Sequence, residues 1–509
     1  MYKHWTLFLA WSLVICSGAA AQGPCSTAST KVACTIPQVY GPQGLQYTSS
    51  PISPNPLTGT LTTQGVTLGD VTQNLSPFNT GVASQFALIP LVSPAPGLTL
   101  TFDKTLGVFV ASDDSFGPTL SERASTIGKH RLAIGFNYEY LHFDSIDGIN
   151  LNHFQTVDLH GDIPGDGHLL GSGCSINGTD PGPQNTGGCG IVRDYILAQN
   201  SIKLRMNQYT AFVTFGLTSR IDISAAIPVL DVSLTMTSNA TVVQNSKSNG
   251  TVFLNPSIKN SEGDPACLFD SAANGEAGHV PVGCLNETFS KRNQASGLGD
   301  ITLRGKATVW KGERTGIALG LDVRLPTGDE LNFLGSGAYG FKPFAIWSYD
   351  GRISPHVNVG YERNSSSRIA GDLTTGTKGE IPNQFLYSVG ADMALTRRLT
   401  GAVDLIGQRV FDATRITLAP VTVLGACDGP ALTDRAISGT LCTTAGPKVP
   451  GLTSAAVTSG SYSINNALLG LRYRPFGKLL VSASVLLKLD NGGLRAKAIP
   501  LVSATYTIH

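Results

Sequence analysis

The segment Ser296–Asn364 reads SGLGDITLRGKATVWKGERTGIALGLDVRLPTGDELNFLGSGAYGFKPFAIWSYDGRISPHVNVGYERN, and its periodicity decides the fold. Ile301, Leu303, Ala307 and Val309 alternate with Thr302, Arg304, Lys306 and Thr308. After a turn at Lys311–Arg314, Ile317, Leu319, Leu321, Val323 and Leu325 fall on one side, with Ala318, Gly320, Asp322 and Arg324 on the other. Successive side chains of a strand point to opposite faces, so a period of two is a strand pattern. One face suits hydrocarbon and the other a wet or tightly filled interior. Two more strands, Ala338–Tyr349 and Ile353–Asn364, meet at the turn Asp350–Arg352. Hairpins that are apolar outside and polar inside build the wall of a membrane β-barrel.

The same alternation recurs on both sides of this segment. Upstream it marks strands at His130–Asp144, Asp194–Leu217 and Ile221–Thr237. The second of these changes parity between Met206 and Tyr209, which suggests a bulge. Downstream it marks Asn383–Leu395, Leu399–Asp412, Ser461–Pro475, Lys478–Leu489 and Ala498–Ile508. The expected fold is therefore all-β, an antiparallel transmembrane up-and-down β-barrel of twelve strands, or fourteen if Gly97–Val110 adds a hairpin. Short turns at Thr218–Arg220, Lys311–Arg314, Asp350–Arg352, Thr396–Arg398 and Phe476–Gly477 alternate with long connections. Barrels of this kind place short turns at the periplasmic rim and long loops outside.

Composition agrees. The chain has 509 residues, a formal net charge of +1, 14% charged residues and 58 glycines. Few charges and much Gly favour strands and turns over helices, and a near-neutral balance gives no reason to expect nucleic acid as a partner. Residues 1–21 read as a signal peptide: Lys3 and His4, the apolar run Trp5–Cys16, then small residues ending at Ala21. No later run approaches the ~18 apolar residues of a membrane-spanning helix. Residues 22–126 form a Pro-, Gly- and Thr-rich region of different character, and residues 127–509 the barrel. Pro51–Pro56 is not expected to enter a ladder, whereas Phe86–Val92 is apolar. This region is either a plug within the barrel or a periplasmic arm. The apolar runs favour the plug, because disordered arms lack them.

Eight cysteines remain after residue 21, in neighbouring pairs: Cys25 and Cys34, Cys174 and Cys189, Cys267 and Cys284, Cys427 and Cys442. An even number in an exported chain favours disulfides, and local pairing is expected although spacing does not settle connectivity. The predicted interior face carries Asp222, Arg304, Lys306, Asp322, Arg324, His356, Asn358, Glu362, Asp392, Asp404, Arg472 and Lys488. These residues either line a polar conduit or fill a narrow barrel as mutually paired charges. The balanced signs favour filling, and substitutions on this face, such as Gly320→Ser, are expected to be tolerated. His153, His160, Asp162, Asp166 and His168 cluster in the first long loop and read as a solvated loop, so no metal is assigned. No nucleophile elbow, zinc-protease motif or phosphate loop occurs, so neither enzyme activity nor a cofactor is expected.

Gly297–Asp300, Leu321–Gly328, Leu334–Gly337 and Ser354–Asn358 resemble the outer-membrane transporters of the meta-pathway phenol-degradation family, which is similar in fold to the long-chain fatty-acid transporter superfamily. Ser115–Pro118 with Glu122-Arg123 and Thr126–Gly128 shares this resemblance. It implies passive uptake of small hydrophobic or aromatic compounds across the outer membrane of a Gram-negative cell. The implied partners are those solutes, outer-membrane lipid and the assembly machinery that inserts such barrels. An outer-membrane barrel with a sealed lumen, acting as a surface-binding or structural protein, is the alternative.

Overall fold

The computed structural model describes residues 23–41, 45–49, 52–54, 61–63, 66–68, 72–89, 100–103, 108–111, 121–159, 195–243, 257–259, 286–373, 375–421, 423–424, 448–449 and 451–508. Twelve antiparallel strands close into a barrel. They are β1 (Leu132–Phe143), β2 (Tyr195–Gly216), β3 (Ile221–Val243) and β4 (Ile301–Lys311). Next come β5 (Thr315–Leu325), β6 (Gly340–Tyr349), β7 (Ile353–Asn364) and β8 (Gln384–Thr396). The wall ends with β9 (Leu399–Pro420), β10 (Thr453–Tyr473), β11 (Leu479–Lys488) and β12 (Ala498–Ile508). Each strand pairs with its sequence neighbours, and β12 returns to β1 with Val502 opposite Tyr138 and Ile508 opposite Leu132. Closure leaves the wall without an edge, the condition for β-structure in hydrocarbon. Leu100–Asp103 and Val108–Ala111 do form a hairpin, but as a separate two-stranded sheet, so the fourteen-strand alternative falls.

The alternation is realised as two faces. Ile317, Leu319 and Leu321 of β5 are exposed on the outside, while Ala318 and Asp322 are buried within. The expected bulge near Met206 is absent, because β2 runs in unbroken register with both β1 and β3. What changes there is the surroundings. Tyr209 and Val213 face outward, whereas Ile202, Leu204 and Met206 are buried on the inner face. Directly opposite, β3 switches at the same level: Ile227 and Val229 are exposed outside, and Leu230, Val232, Leu234 and Met236 are buried inside. Below this level the apolar face meets lipid. Above it the wall turns its apolar face inward. The outward positions there are polar, with Tyr138 donating to Asn207 at 3.0 Å and Ser296 to Asp231 at 2.7 Å.

Two extensions prolong the β2–β3 hairpin beyond the wall. Phe154–Leu159 pairs with β2, and Asn286–Leu298 pairs with β3 as a continuation of β4. The long connection between β3 and β4 is thus partly strand. A true register shift occurs at Asp412 of β9, beyond which the strand continues to Pro420.

Before the wall lies α1 (Thr72–Phe86), a helix where only an irregular plug or arm was expected. Ile52–Pro54 also departs from expectation by pairing with Leu61–Thr63. Pro54 sits at the strand end, where its missing N–H costs no ladder bond. Residues 1–22 and the six cysteines from Cys174 to Cys442 lie outside the described residues. Among the described residues no helix is long and apolar enough to cross a membrane.

Candidate functional site in the barrel lumen

Residues 121–127 occupy the lumen at the short-turn end. The chain leaves the interior at Gly128, whose φ of +97° suits glycine, and enters β1 after His130 N donates to Gly216 O at 2.7 Å. A Cβ on Gly216 would meet Gly128 O at 1.8 Å, so this exit depends on glycine there. Inside, the backbone N–H of Ile127 donates to Asp222 at 3.0 Å, and that of Ala124 to Ser348 Oγ at 3.0 Å. Arg123 forms ion pairs with Asp392 and, at 3.1 Å, with Asp350. Ser121 Oγ donates to Asp404 at 2.9 Å. Glu122 pairs with Arg304 and, at 3.4 Å, with Lys306, whose ammonium also reaches the carbonyl of Ser125 at 3.1 Å.

These contacts place most of the sequence-derived polar set. Arg304 forks onto Asp322 at 2.5 and 2.6 Å, and Lys342 reaches the same carboxylate at 2.8 Å. His356 Nε2 lies 2.5 Å from Asp404, and its Nδ1 lies 3.3 Å from the carbonyl of Ser354 and 3.6 Å from Asp392. Arg472 acts electrostatically on both Asp392 and Asp404. Arg324 pairs with Glu362 at 3.2 Å and Lys488 with Asp144 at 3.2 Å. Asn358 is half-buried. Opposite charges thus sit together, as desolvated charges must. The expectation for Gly320 needs correction, since a Cβ there would meet the Phe344 ring at 2.2 Å and Gly305 O at 2.7 Å. That glycine admits an aromatic ring beside the backbone, so Gly320→Ser is not neutral.

At the long-loop end the apolar inner faces of β2 and β3 share a buried cluster with residues 23–41, and α1 packs against β9 and β10. Cys25 and Cys34 form a disulfide. Lys31 pairs with Asp329 at 2.8 Å, and the Tyr40 hydroxyl lies 2.7 Å from Ser238 Oγ. Burial alone would raise the Asp329 carboxyl, but the hydrogen bond and charge of Lys31 outweigh it and hold it below its ordinary value. Leu75, Phe78, Val82 and Phe86 line one face of α1 and are buried. Phe78 stacks on Phe154 at 5.0 Å, while Phe86 stacks on Phe333 at 5.0 Å and meets Phe143 at 6.0 Å. Phe143 ends β1 and Phe333 lies in the β5–β6 connection, so the end of α1 joins two well-separated parts of the chain at the mouth. Burying each such ring contributes about 1.5–3 kcal/mol.

Between these two segments lies a cavity of about 220 Å³. Gln85, Leu88 and Ile89 border it on one side, Ser121 and Glu122 on another. One arc of its wall, from β9 through β12 to β1, is mainly apolar, with Ile406, Leu486, Ile499, Leu501 and Leu141, although Gln408, Asn466, Arg495 and Glu139 also line it. The facing arc carries Arg304, Lys342 and Asn358. The polar-inside pattern did not anticipate this apolar arc. Its signal in the sequence is a set of apolar doublets, Leu468-Leu469, Leu486-Leu487 and Leu501-Val502, which make both faces of the wall apolar.

Around His356 the described residues set no hydrolytic triad. His356 Nε2 is engaged by Asp404, and Ser121 Oγ bonds that carboxylate, not the imidazole. Among the described residues no group of His, Cys, Asp and Glu is placed to hold a metal. Of the first-loop cluster only His153 is described.

A closed twelve-strand wall with an apolar outer belt and paired charges within defines a transmembrane β-barrel. Residues 183–414 match the family described as "Putative MetA-pathway of phenol degradation", so over this span the chain carries the pattern of the family its motifs resemble. No curated protein sequence matches the chain. Among solved structures it is similar to an outer membrane channel from Pseudomonas putida F1, at TM-score 0.39 and 9% identity over 76% of this chain and 99% of that one. It is also similar to a FadL homologue from Pseudomonas aeruginosa (TM-score 0.27, 11% identity, 75% and 91% covered). A third is the toluene transporter TbuX from Ralstonia pickettii (TM-score 0.23, 11% identity, 76% and 92% covered).

Proposed function

We propose that this barrel is an outer-membrane channel of a Gram-negative cell for passive uptake of small hydrophobic or aromatic compounds. Residues 1–21 direct its export, and the assembly machinery inserts it into outer-membrane lipid. The supporting observation is the cavity between α1 and Ser121–Glu122, whose mainly apolar arc faces Arg304, Lys342 and Asn358. Its volume of about 220 Å³ exceeds the ~150 Å³ of an apolar cavity that takes up benzene. The apolar arc supplies affinity for a ring, and Arg304, Lys342 and Asn358 supply partners for a polar substituent. Residues 23–41, α1 and residues 121–127 act together as a plug, and no catalytic step is assigned.

The alternative, a sealed surface scaffold, draws support from the dense ion pairing of residues 121–127. Equilibrium binding of naphthalene to the detergent-solubilised protein separates the two. The channel reading expects saturable binding, weakened roughly tenfold, or about 1.4 kcal/mol, by Leu501→Asn. Absence of saturable binding favours the scaffold.

A further inference from the structure

The rim formed by the short turns is strongly basic. Lys311 and Arg314 lie on the β4–β5 turn, Arg352 on the β6–β7 turn, and Arg397 and Arg398 on the β8–β9 turn. Arg220 lies between β2 and β3, Arg474 and Lys478 between β10 and β11, and Lys129 and Arg131 just before β1. Ten cations thus face two carboxylates, Glu313 and Asp350, at these positions, and Asp350 is already held by Arg123 at 3.1 Å. Among the described residues of the long-loop end, charges of both signs occur together, as in Asp147 with Arg415 and Glu330 with Arg368.

The cations begin where the lipid-facing belt ends. Exposed Trp310 precedes Lys311, exposed Ile353 follows Arg352, and exposed Tyr473 precedes Arg474. Arg and Lys stems can therefore lie along apolar surface while their heads stand at headgroup level. Guanidinium groups there match phosphate oxygens, and each cation near an anionic surface adds attraction. We infer that this rim binds the headgroups of anionic phospholipids in the leaflet at the short-turn end, an inference that rests on the barrel spanning a membrane. A docking site for an acidic protein would gather charge on one side. Here every turn around the circumference contributes.

Trp310 and Trp347 are exposed on the outer face near this rim and report on neighbouring lipid. Protein purified from membranes is reconstituted in phosphatidylcholine vesicles containing dibrominated phosphatidylglycerol or, separately, dibrominated phosphatidylcholine. The expected result is a preference for phosphatidylglycerol of roughly threefold at about 50 mM salt, vanishing near about 500 mM as screening shortens. The combined variant Arg220→Gln, Arg352→Gln, Arg397→Gln, Arg398→Gln should abolish the preference while quenching by brominated phosphatidylcholine persists. Equal quenching by the two lipids, the result an acidic protein partner would leave, overturns the inference, and so does a preference that survives the four substitutions. Loss of quenching by both lipids would instead contradict the membrane-spanning barrel itself.

Discussion

Arg123, from the segment that precedes the first strand, forms an ion pair with Asp392 of β8, and both are buried inside the barrel. The contact joins residues 269 positions apart. With the contacts of Ser121, Glu122, Ala124 and Ile127, it holds a stretch of backbone in the lumen. Asp392 also lies beside His356 and under the field of Arg472, so the pair belongs to a network that includes Asp404 and Ser121.

Removing one member of this pair strands the other charge in a desolvated site. Asp392→Asn should lower barrel stability by about 3–5 kcal/mol. The double variant Arg123→Met, Asp392→Asn should lose less than the sum of the two single losses. Urea unfolding followed by heat-modifiable gel mobility measures both, and simple additivity would mean that the two side chains act independently.

The outer face makes a separate demand. Leu321 of β5 is exposed to the side that meets hydrocarbon. Leu321→Arg should therefore cost about 2–4 kcal/mol near mid-wall. Thr505→Ser, on the buried inner face of β12, should change stability little. Equal effects in the same assay would contradict the face assignment.

These two faces were the most legible part of the sequence. A half-buried strand writes its environment into alternate residues, and short turns such as Asp350–Arg352 mark the strand ends. Legibility failed where a strand serves two environments. In β2 the change from outward Tyr209 to inward Met206 reads as a bulge, although the backbone is regular and only the medium beside it changes. The helix α1 was hidden for another reason. Leu75, Phe78, Val82 and Phe86 have helical spacing, but Thr, Asn, Ser, Pro77 and Gly81 between them are poor helix formers. Packing decides the matter, since Gly81 lies so close to Ile416 that a Cβ would approach it to 2.7 Å. Of the lumen, the charged residues were found from parity alone. Their partners Glu122 and Arg123 were marked only by resemblance, because a segment threaded through a barrel carries no periodicity of its own.

The disulfide between Cys25 and Cys34 closes a short loop against the inner face at the barrel mouth. Its loss should loosen residues 23–41 by about 2–4 kcal/mol without opening the wall. Non-reducing peptide mapping should recover the Cys25–Cys34 link. Limited proteolysis of the Cys25→Ser, Cys34→Ser variant should then cut before α1 while the barrel retains heat-modifiable mobility. Unchanged proteolysis would mean that the buried contacts of Val32, Ile36 and Tyr40 suffice.

Segments preceding the wall occupy the lumen, so passage through it should depend on them. Deleting residues 23–127 removes both occupied ends and leaves β1 to β12 intact, because β1 begins at Leu132. Single-channel conductance in planar bilayers reads this dependence. The inserted deletion variant should conduct markedly more than the full-length protein; a correctly inserted variant with unaltered conductance would mean that these segments do not obstruct the lumen.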